Sequence, residues 1–292
     1  MTLFDLDEPR TVAPFKTQLL KWIGNKQRMA HEIANLFPQD MATYHEVFLG
    51  SGAVLGTLAP KRACASDVLA PLMEIWRGLS EDPEMVKHWY ARRRDEWTPD
   101  NRLEVYEAAR VSFNERPNGA DLLYLCRACY GGVVRFRKAD GHMSTPCGAH
   151  APMPSAKFSA RVDEWSRRTA GTTFSNLDFR EAFDRAEPGD LVYCDPPYTD
   201  SQTILYGAQA FKLHDLVEKI DQAKSRGVRV ALSIDGTKKS GLHTVLNDFP
   251  YQLFETDAVV TVGRSMLRRF QMGGQSLEDE VVADRLLLTY SV

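Results

Sequence analysis

The sequence predicts an α/β fold, a mostly parallel sheet with helices on both faces, and three observations carry that expectation. Short apolar runs such as Leu191-Val192-Tyr193-Cys194 and Val228 to Ile234 read as strands buried on both faces. They alternate with amphipathic helical stretches such as Phe211 to Arg226, and such alternation builds parallel sheets. From about residue 75 to 130 the helical period prevails alone, which marks a helical module inserted into the α/β frame. A chain of 292 residues holds one large core plus an insertion of that size.

Composition narrows the function classes. The net charge of −3 gives no general attraction to polyanions, so any nucleic-acid surface must be local. Local basic clusters exist at Arg92-Arg93-Arg94, Arg135/Arg137/Lys138, Lys238-Lys239 and Arg264/Arg268/Arg269, although such runs are usually solvated faces. No stretch is apolar enough over sufficient length to span a bilayer, and the start does not read as a signal peptide. No membrane partner is expected, and a cytoplasmic location is. The five cysteines are then expected to be reduced thiols.

In chain order, residues 1–15 read as a flexible tail. Lys21-Trp22-Ile23-Gly24-Asn25-Lys26 precedes an amphipathic helix with Asn25 as its N-cap and Met29, Ile33 and Leu36 on one face. Lys26 beside a helix N-terminus attracts a carboxylate, and Trp22 could pack on the same ligand. The plainer alternative is a core tryptophan and a solvated lysine.

Tyr44 to Phe48 reads as a strand that runs through Leu49-Gly50-Ser51-Gly52 into a helix over Ala53 to Leu58. Glycines at such a turn admit a ligand close to the backbone. The spacing Phe48-x-Gly50-x-Gly52 lacks the third glycine of a dinucleotide fingerprint, and no P-loop Lys-Ser/Thr follows, so phosphate binding is disfavoured. A second strand, Ala63 to Ser66, ends in Asp67, which is placed to accept hydrogen bonds from a ribose. A glycine turn and a ribose acid without a phosphate grip suggest a nucleoside cofactor such as S-adenosyl-L-methionine.

The helical module ends in Tyr130-Gly131-Gly132 and the basic stretch Arg135 to Gly141, in which Asp140-Gly141 signals a hairpin turn. A basic hairpin beside an exposed ring suits DNA, since arginines reach base edges or phosphates and a ring can wedge where a base leaves. The alternative is a solvated basic loop. Cys126-x-x-Cys129 with Cys147-x-x-His150 has zinc-ligand spacing. The first pair lies in a strongly apolar helical run where cysteines simply pack, so no metal is expected. Thr173 to Phe179 is a strand with a polar exit, and Asp178 there is a cofactor candidate.

Asp195-Pro196-Pro197-Tyr198 follows the buried strand Leu191 to Cys194. The prolines end the strand because neither can donate to the ladder. An ionised acid and the prolyl carbonyls are acceptors, and the tyrosine offers a flat face. That set suits a planar group carrying an NH2, as a flipped adenine does. A plain proline turn with a capping aspartate is the alternative for the tetrapeptide alone.

Lys21-Trp22-x-Gly24-x-Lys26, Phe48-x-Gly50-x-Gly52, Asp67 and Asp195-Pro196-Pro197-Tyr198 occur in one order. That order resembles the Dam-type DNA adenine-N6 methyltransferases, the D12 class or alpha group, in which target recognition is inserted between cofactor and catalytic motifs. The likeness extends through Leu123 to Arg127, Tyr130-x-Gly132-x-x-Arg135 and Gly141 to Gly148, and on to Arg264-Ser265.

The resemblance implies a Rossmann-like methyltransferase domain over 16–74 and 166–292, with a DNA-binding target-recognition module and hairpin over 75–165. Trp22, Lys26, Phe48, Gly50, Gly52, Asp67, Asp178 and Asp195 would hold S-adenosyl-L-methionine and release S-adenosyl-L-homocysteine. Asp195, Pro196, Pro197 and Tyr198 would be catalytic. Lys21, Tyr130, Arg135, Arg137 and Lys138 would meet double-stranded DNA. A monomer or weak dimer is expected.

Val47 stands where the family has proline, Gly131 where it has asparagine, and the hairpin over 137–145 differs. The recognised DNA sequence is therefore open, while the chemistry is unaffected. Rival readings are methylation of cytosine N4 or of RNA, a non-catalytic DNA-binding protein with this fold, and a nicotinamide-dependent dehydrogenase. The missing third glycine argues against the last, and the intact Asp67, Asp195 and Tyr198 argue against the non-catalytic protein.

Overall fold

The computed structural model describes residues 11–197, 211–235, 237–238, 243–244, 250–263 and 282–292. Strands β1 (Tyr44–Glu46), β2 (Ala63–Asp67), β3 (Thr172–Asn176), β4 (Leu191–Cys194) and β5 (Arg229–Asp235) pair in parallel. Strands β6 (Thr237–Lys238) and β7 (His243–Thr244) form a separate antiparallel pair. The two strands expected in the tail are β8 (Thr256–Gly263) and β9 (Val282–Leu288), with β9 antiparallel to both β5 and β8. The order across the sheet is β3-β2-β1-β4-β5-β9-β8.

That order dictates where a ligand goes. The chain builds outward from β1 through β2 to β3, then returns to lay β4 on the other side of β1. The reversal opens a crevice at the carboxyl ends of β1 and β4. Helix α2 (Ala53–Leu58), which follows β1, packs into the core that takes Tyr44, Leu191 and Tyr193. Helices α8 (Phe179–Asp184) and α9 (Leu213–Ser225) pack into the other core with Val192, Cys194 and Val230. Alternate residues of β4 thus enter opposite cores, as the pleat requires, and a strand covered on both faces is apolar throughout.

Between β2 and β3 lie α3 (Ala70–Glu81), α4 (Pro83–Arg94), α5 (Arg102–Glu115), α6 (Gly119–Ala128) and α7 (Ser155–Arg168). Helix α3 runs through the 74/75 boundary and α7 through the 165/166 boundary that the sequence suggests. Both helices root the insertion in the frame: Trp76 of α3 and Trp165 of α7 have ring centroids 5.4 Å apart. The Trp165 ring in turn lies where a Cβ on Gly56 of α2 would sit, 2.4 Å away.

Two expectations near the amino end are corrected. The tail expected over 1–15 is not loose to its end: Val12 and Phe15 are buried, and the Val12 amide donates to Asn35 Oδ1 at 2.7 Å. Two apolar side chains suffice to hold the strand of backbone between them against the core. Asn25 is not a helix N-cap. Its Oδ1 accepts the Gln27 amide at 3.2 Å and its Nδ2 donates to Trp22 O at 2.8 Å, a local side-chain turn. Helix α1 (Ala30–Asn35) starts later, after a tight turn closed by Met29 N to Lys26 O. Among the described residues no helix is long and apolar enough to cross a membrane.

Candidate active site

The crevice at the ends of β1 and β4 is a cleft of about 1050 Å³, its open mouth included. Four chain segments converge on it: Trp22 to Lys26, the turn after β1, Asp67-Val68 after β2, and Asp195 with Pro197 after β4. Asp178, Phe179 and Phe211 complete the wall.

The turn after β1 is shaped by its glycines. Gly50 has φ +48°, and a Cβ there would stand 3.2 Å from Trp22 Nε1, so the indole packs directly against the turn. Gly52 has φ +62° and begins α2, but its face abuts Trp76, where a Cβ would come within 2.9 Å of the ring. Its task is packing; among the expected cofactor residues it is the one that does not line the cleft. Asp67 ties β2 to this turn, since its Oδ2 accepts Gly50 N and its Oδ1 accepts Leu69 N, each at 3.0 Å. Burial raises its carboxyl above the usual aspartate range, with the Leu69 and Gly50 amides opposing. Each oxygen keeps a lone pair for a further donor.

Phe48, Phe179 and Phe211 form an aromatic wall, with centroids 5.3 to 5.8 Å apart. Asp178 stands at its edge. It caps α8 by accepting Arg180 N at 2.9 Å, and both its oxygens receive the Arg180 guanidinium, which holds its carboxyl below the usual range.

At the other end of the cleft, Lys26 is buried with its Nζ 3.0 Å from Asp195 Oδ1 and 3.3 Å from Asp284 Oδ2. Glu46 lies deeper. Burial pushes its carboxyl up to about 8, opposed by donation from Tyr44 Oη and Leu55 N to its Oε2 and helped by nearby Asp195. Asp195 lines the cleft at this end. Pro197 lines the cleft beside it; Tyr198 lies outside the described residues.

Glu46 and Asp284 were not singled out from the sequence. An acid inside the apolar run from Tyr44 to Phe48 is a readable signal. Asp284 has none, because β9 reaches the site only through long-range pairing with β5.

Of the residues expected to meet DNA, Tyr130, Arg135, Arg137 and Lys138 lie on one loop and hairpin, and Lys21 packs against that loop. Tyr130 is half exposed and its amide donates to Pro146 O at 2.8 Å. Gly131 has φ +65°, a left-handed conformation that glycine adopts without strain. A Cβ on Gly132 would meet Lys21 Cβ at 2.9 Å, so the Lys21 stem rests on this loop. Arg135 is exposed on a hairpin held by Ser144 N to Arg135 O and Arg137 N to His142 O. The hairpin turns at Gly141, φ +70°. Arg137 is engaged by Asp140 within the turn, while Lys138 is exposed. Arg127 of α6 joins the two regions, because its guanidinium donates to the carbonyls of Leu19 (2.7 Å) and Gln18 (3.3 Å) just ahead of Lys21.

The cysteines pack. Cys126 Sγ donates to Leu123 O at 3.3 Å, Cys147 Sγ to Gly148 O at 3.4 Å, and burial pushes the Cys126 thiol up to about 11. His150 is exposed. Among the described residues no three His, Cys, Asp or Glu side chains cluster in a way that could hold a metal.

Comparison with known proteins follows the same outline. The profile of the D12 class N6 adenine-specific DNA methyltransferase family matches residues 22–261. Type II methyltransferase M1.LlaDCHI of Lactococcus lactis subsp. cremoris is 26% identical over 226 residues, 73% of this chain and 79% of that protein. The DNA adenine methylase of Vibrio cholerae serotype O1 is 27% identical over 234 residues, with the same coverage. The retron Ec67 DNA adenine methylase of Escherichia coli is 28% identical over 229 residues, 75% of this chain and 77% of that protein.

Proposed function

We propose a mechanism from the premise that this chain belongs to the D12 class N6 adenine-specific DNA methyltransferase family. Membership gives the reaction, methyl transfer from a donor to adenine in DNA. Our reading adds that the donor is S-adenosyl-L-methionine and that Asp195 accepts the adenine amine. The observation that supports it is the placement of Asp195, Lys26, the glycine turn and Asp67 around one cleft.

The residues present fit the donor. Gly50, with no Cβ, lets the Trp22 indole pack directly on the turn, and both line the cleft. Asp67 keeps acceptor capacity for a ribose diol, the three phenylalanines and Val68 offer a wall for a flat base, and Lys26 can receive a carboxylate. When bound, the donor supplies an electrophilic methyl on a sulfonium.

The chain supplies position and polarity. The adenine amine lone pair is delocalised into its ring. Hydrogen bonds from both N–H groups to Asp195 and the Pro196 carbonyl favour a more tetrahedral, nucleophilic nitrogen, and the Tyr198 ring would hold the base flat. Holding nitrogen in line with the methyl is where most of the barrier reduction comes from. As the N–C bond forms and the C–S bond breaks, the amine sheds a proton toward Asp195.

On this reading residues 75–165 recognise the target, and 16–74 with 166–292 carry the chemistry. Lys21, Tyr130, Arg135 and Lys138 form the DNA-facing group, with Arg137 freed from Asp140 if it joins them. Arg135→Ala should cost about 1–3 kcal/mol of binding and relax discrimination at one base pair. Tyr130→Ala should slow methylation of a paired duplex more than of one whose target adenine is mispaired, because a mispair already lowers the unstacking cost. Rates on paired and mispaired duplexes decide. If both substitutions weaken binding evenly, without changing base preference or the paired-to-mispaired ratio, the hairpin is only a phosphate clamp.

A further inference from the structure

The approach to Trp22 is held by side chains of the inserted helices. Residues 15–21 run without helix or strand, so no ladder of hydrogen bonds fixes their course. Three consecutive carbonyls there are taken from the insertion instead. Trp165 Nε1 donates to Thr17 O at 3.1 Å, Arg161 Nη1 to Gln18 O at 2.6 Å, and Arg127 Nη1 to Leu19 O at 2.7 Å. Arg127 also reaches Gln18 O, at 3.3 Å. Hydrogen bonds from a charged guanidinium are roughly twice as strong as neutral ones. Arg127 is itself fixed, buried in α6 with its guanidinium 5.7 Å from the centre of the Phe158 ring of α7.

Gln18 passes this hold forward. Its carbonyl receives the two arginines, and its side-chain Nε2 donates to Asn25 Oδ1 at 3.2 Å. Asn25 Nδ2 donates in turn to Trp22 O at 2.8 Å. Asn25 and Trp22 both line the cleft. We propose that Arg161 and Gln18 are positioning residues for the donor: through Gln18 and Asn25, the inserted module sets the place of Trp22 in the cleft. The inference rests on the reading of that cleft as the site of S-adenosyl-L-methionine.

Calorimetry of S-adenosylhomocysteine with the full chain, in the absence of DNA, tests it. Gln18→Met keeps the stem and removes the donor to Asn25 Oδ1, which retains the Gln27 amide. Arg161→Met removes one guanidinium, and Gln18 O retains Arg127. Neither acceptor is stranded, so both variants should fold. Each should weaken binding roughly 3- to 30-fold, the scale on which substitutions remote from a ligand act. The double variant should lose less than the product of the two, because both cut one path. Arg161→Lys can still donate to Gln18 O and should recover part of the affinity. In a Trp22→Ala background neither substitution should cost anything further, because no indole remains to be placed.

Wild-type affinity for either single variant, an equal loss with and without the indole, or a lysine variant as weak as the methionine one would overturn the proposal. Trp22→Ala alone separates the two levels. If it binds S-adenosylhomocysteine as the wild type does, the reading of the cleft at Trp22 fails and the positioning role falls with it. If it binds weakly while Gln18→Met and Arg161→Met bind normally, only the positioning role fails.

Discussion

Asp195→Ala is expected to abolish methylation while leaving the protein folded. The carboxylate lies past the end of β4, where its side chain is 19% exposed, so truncation removes little packing. Lys26 is not stranded either, because Asp284 remains 3.3 Å from its ammonium. Stability should fall without loss of the fold, because the buried ammonium keeps one carboxylate partner. Rate is another matter. Loss of a single preorganised polar group commonly costs roughly 100- to 1000-fold, and Asp195 is asked both to orient the amine and to polarise it. Asp195→Asn should also lose most activity, since an amide offers one acceptor and a misplaced donor. Initial rates of labelled methyl incorporation, alongside circular dichroism, decide. Wild-type turnover by the alanine variant would remove Asp195 from the chemistry.

The second large effect is on donor affinity. Asp67→Ala should weaken S-adenosylmethionine binding by about 1.5–3 kcal/mol, the range for hydrogen bonds to a charged group. DNA binding measured without donor should be nearly unchanged. The carboxylate both faces the cleft and pins the turn through Gly50 N, so one substitution removes a contact and loosens a wall. There is a pH corollary. Burial raises the Asp67 carboxyl, so on acidification it gains its proton at a higher pH than an ordinary aspartate. Donor affinity should accordingly begin to fall above the usual carboxylate range, and the alanine variant should lack that step. Calorimetry that finds equal affinities for the two proteins would contradict the ribose role.

Much of this site was legible because a parallel sheet gathers the carboxyl ends of its strands at one edge. Once Tyr44 to Phe48, Ala63 to Ser66 and Leu191 to Cys194 are read as strands, their exits must be neighbours. The Gly50 turn, Asp67 and Asp195 duly line one cleft. The helix over Ala53 to Leu58 and the turn at Asp140-Gly141 were readable from local chemistry alone.

What was missed depends on tertiary contact. Asn25 has the chemistry of a cap, and it spends that chemistry on Trp22 O and Gln27 N instead. Asp284 sits in a strand without a motif, and only the pairing of β9 with β5 carries it to Lys26. Glu46 is visible as an acid in an apolar run, but the rise of its carboxyl above the usual range follows from burial that no local pattern reports. Gly52 shows the reverse. A motif glycine expected at the ligand turns out to make room for Trp76.

The central claim is that one cleft brings a sulfonium methyl to the amine of an adenine taken from DNA. The most direct measurement incubates the wild-type protein with duplex DNA and S-adenosylmethionine labelled in its methyl group, then digests the DNA to nucleosides and separates them. The expected result is label in N6-methyl-2′-deoxyadenosine, with S-adenosylhomocysteine released in equal amount. Label in N4-methyl-2′-deoxycytidine, or transfer to RNA with none to DNA, would contradict the account.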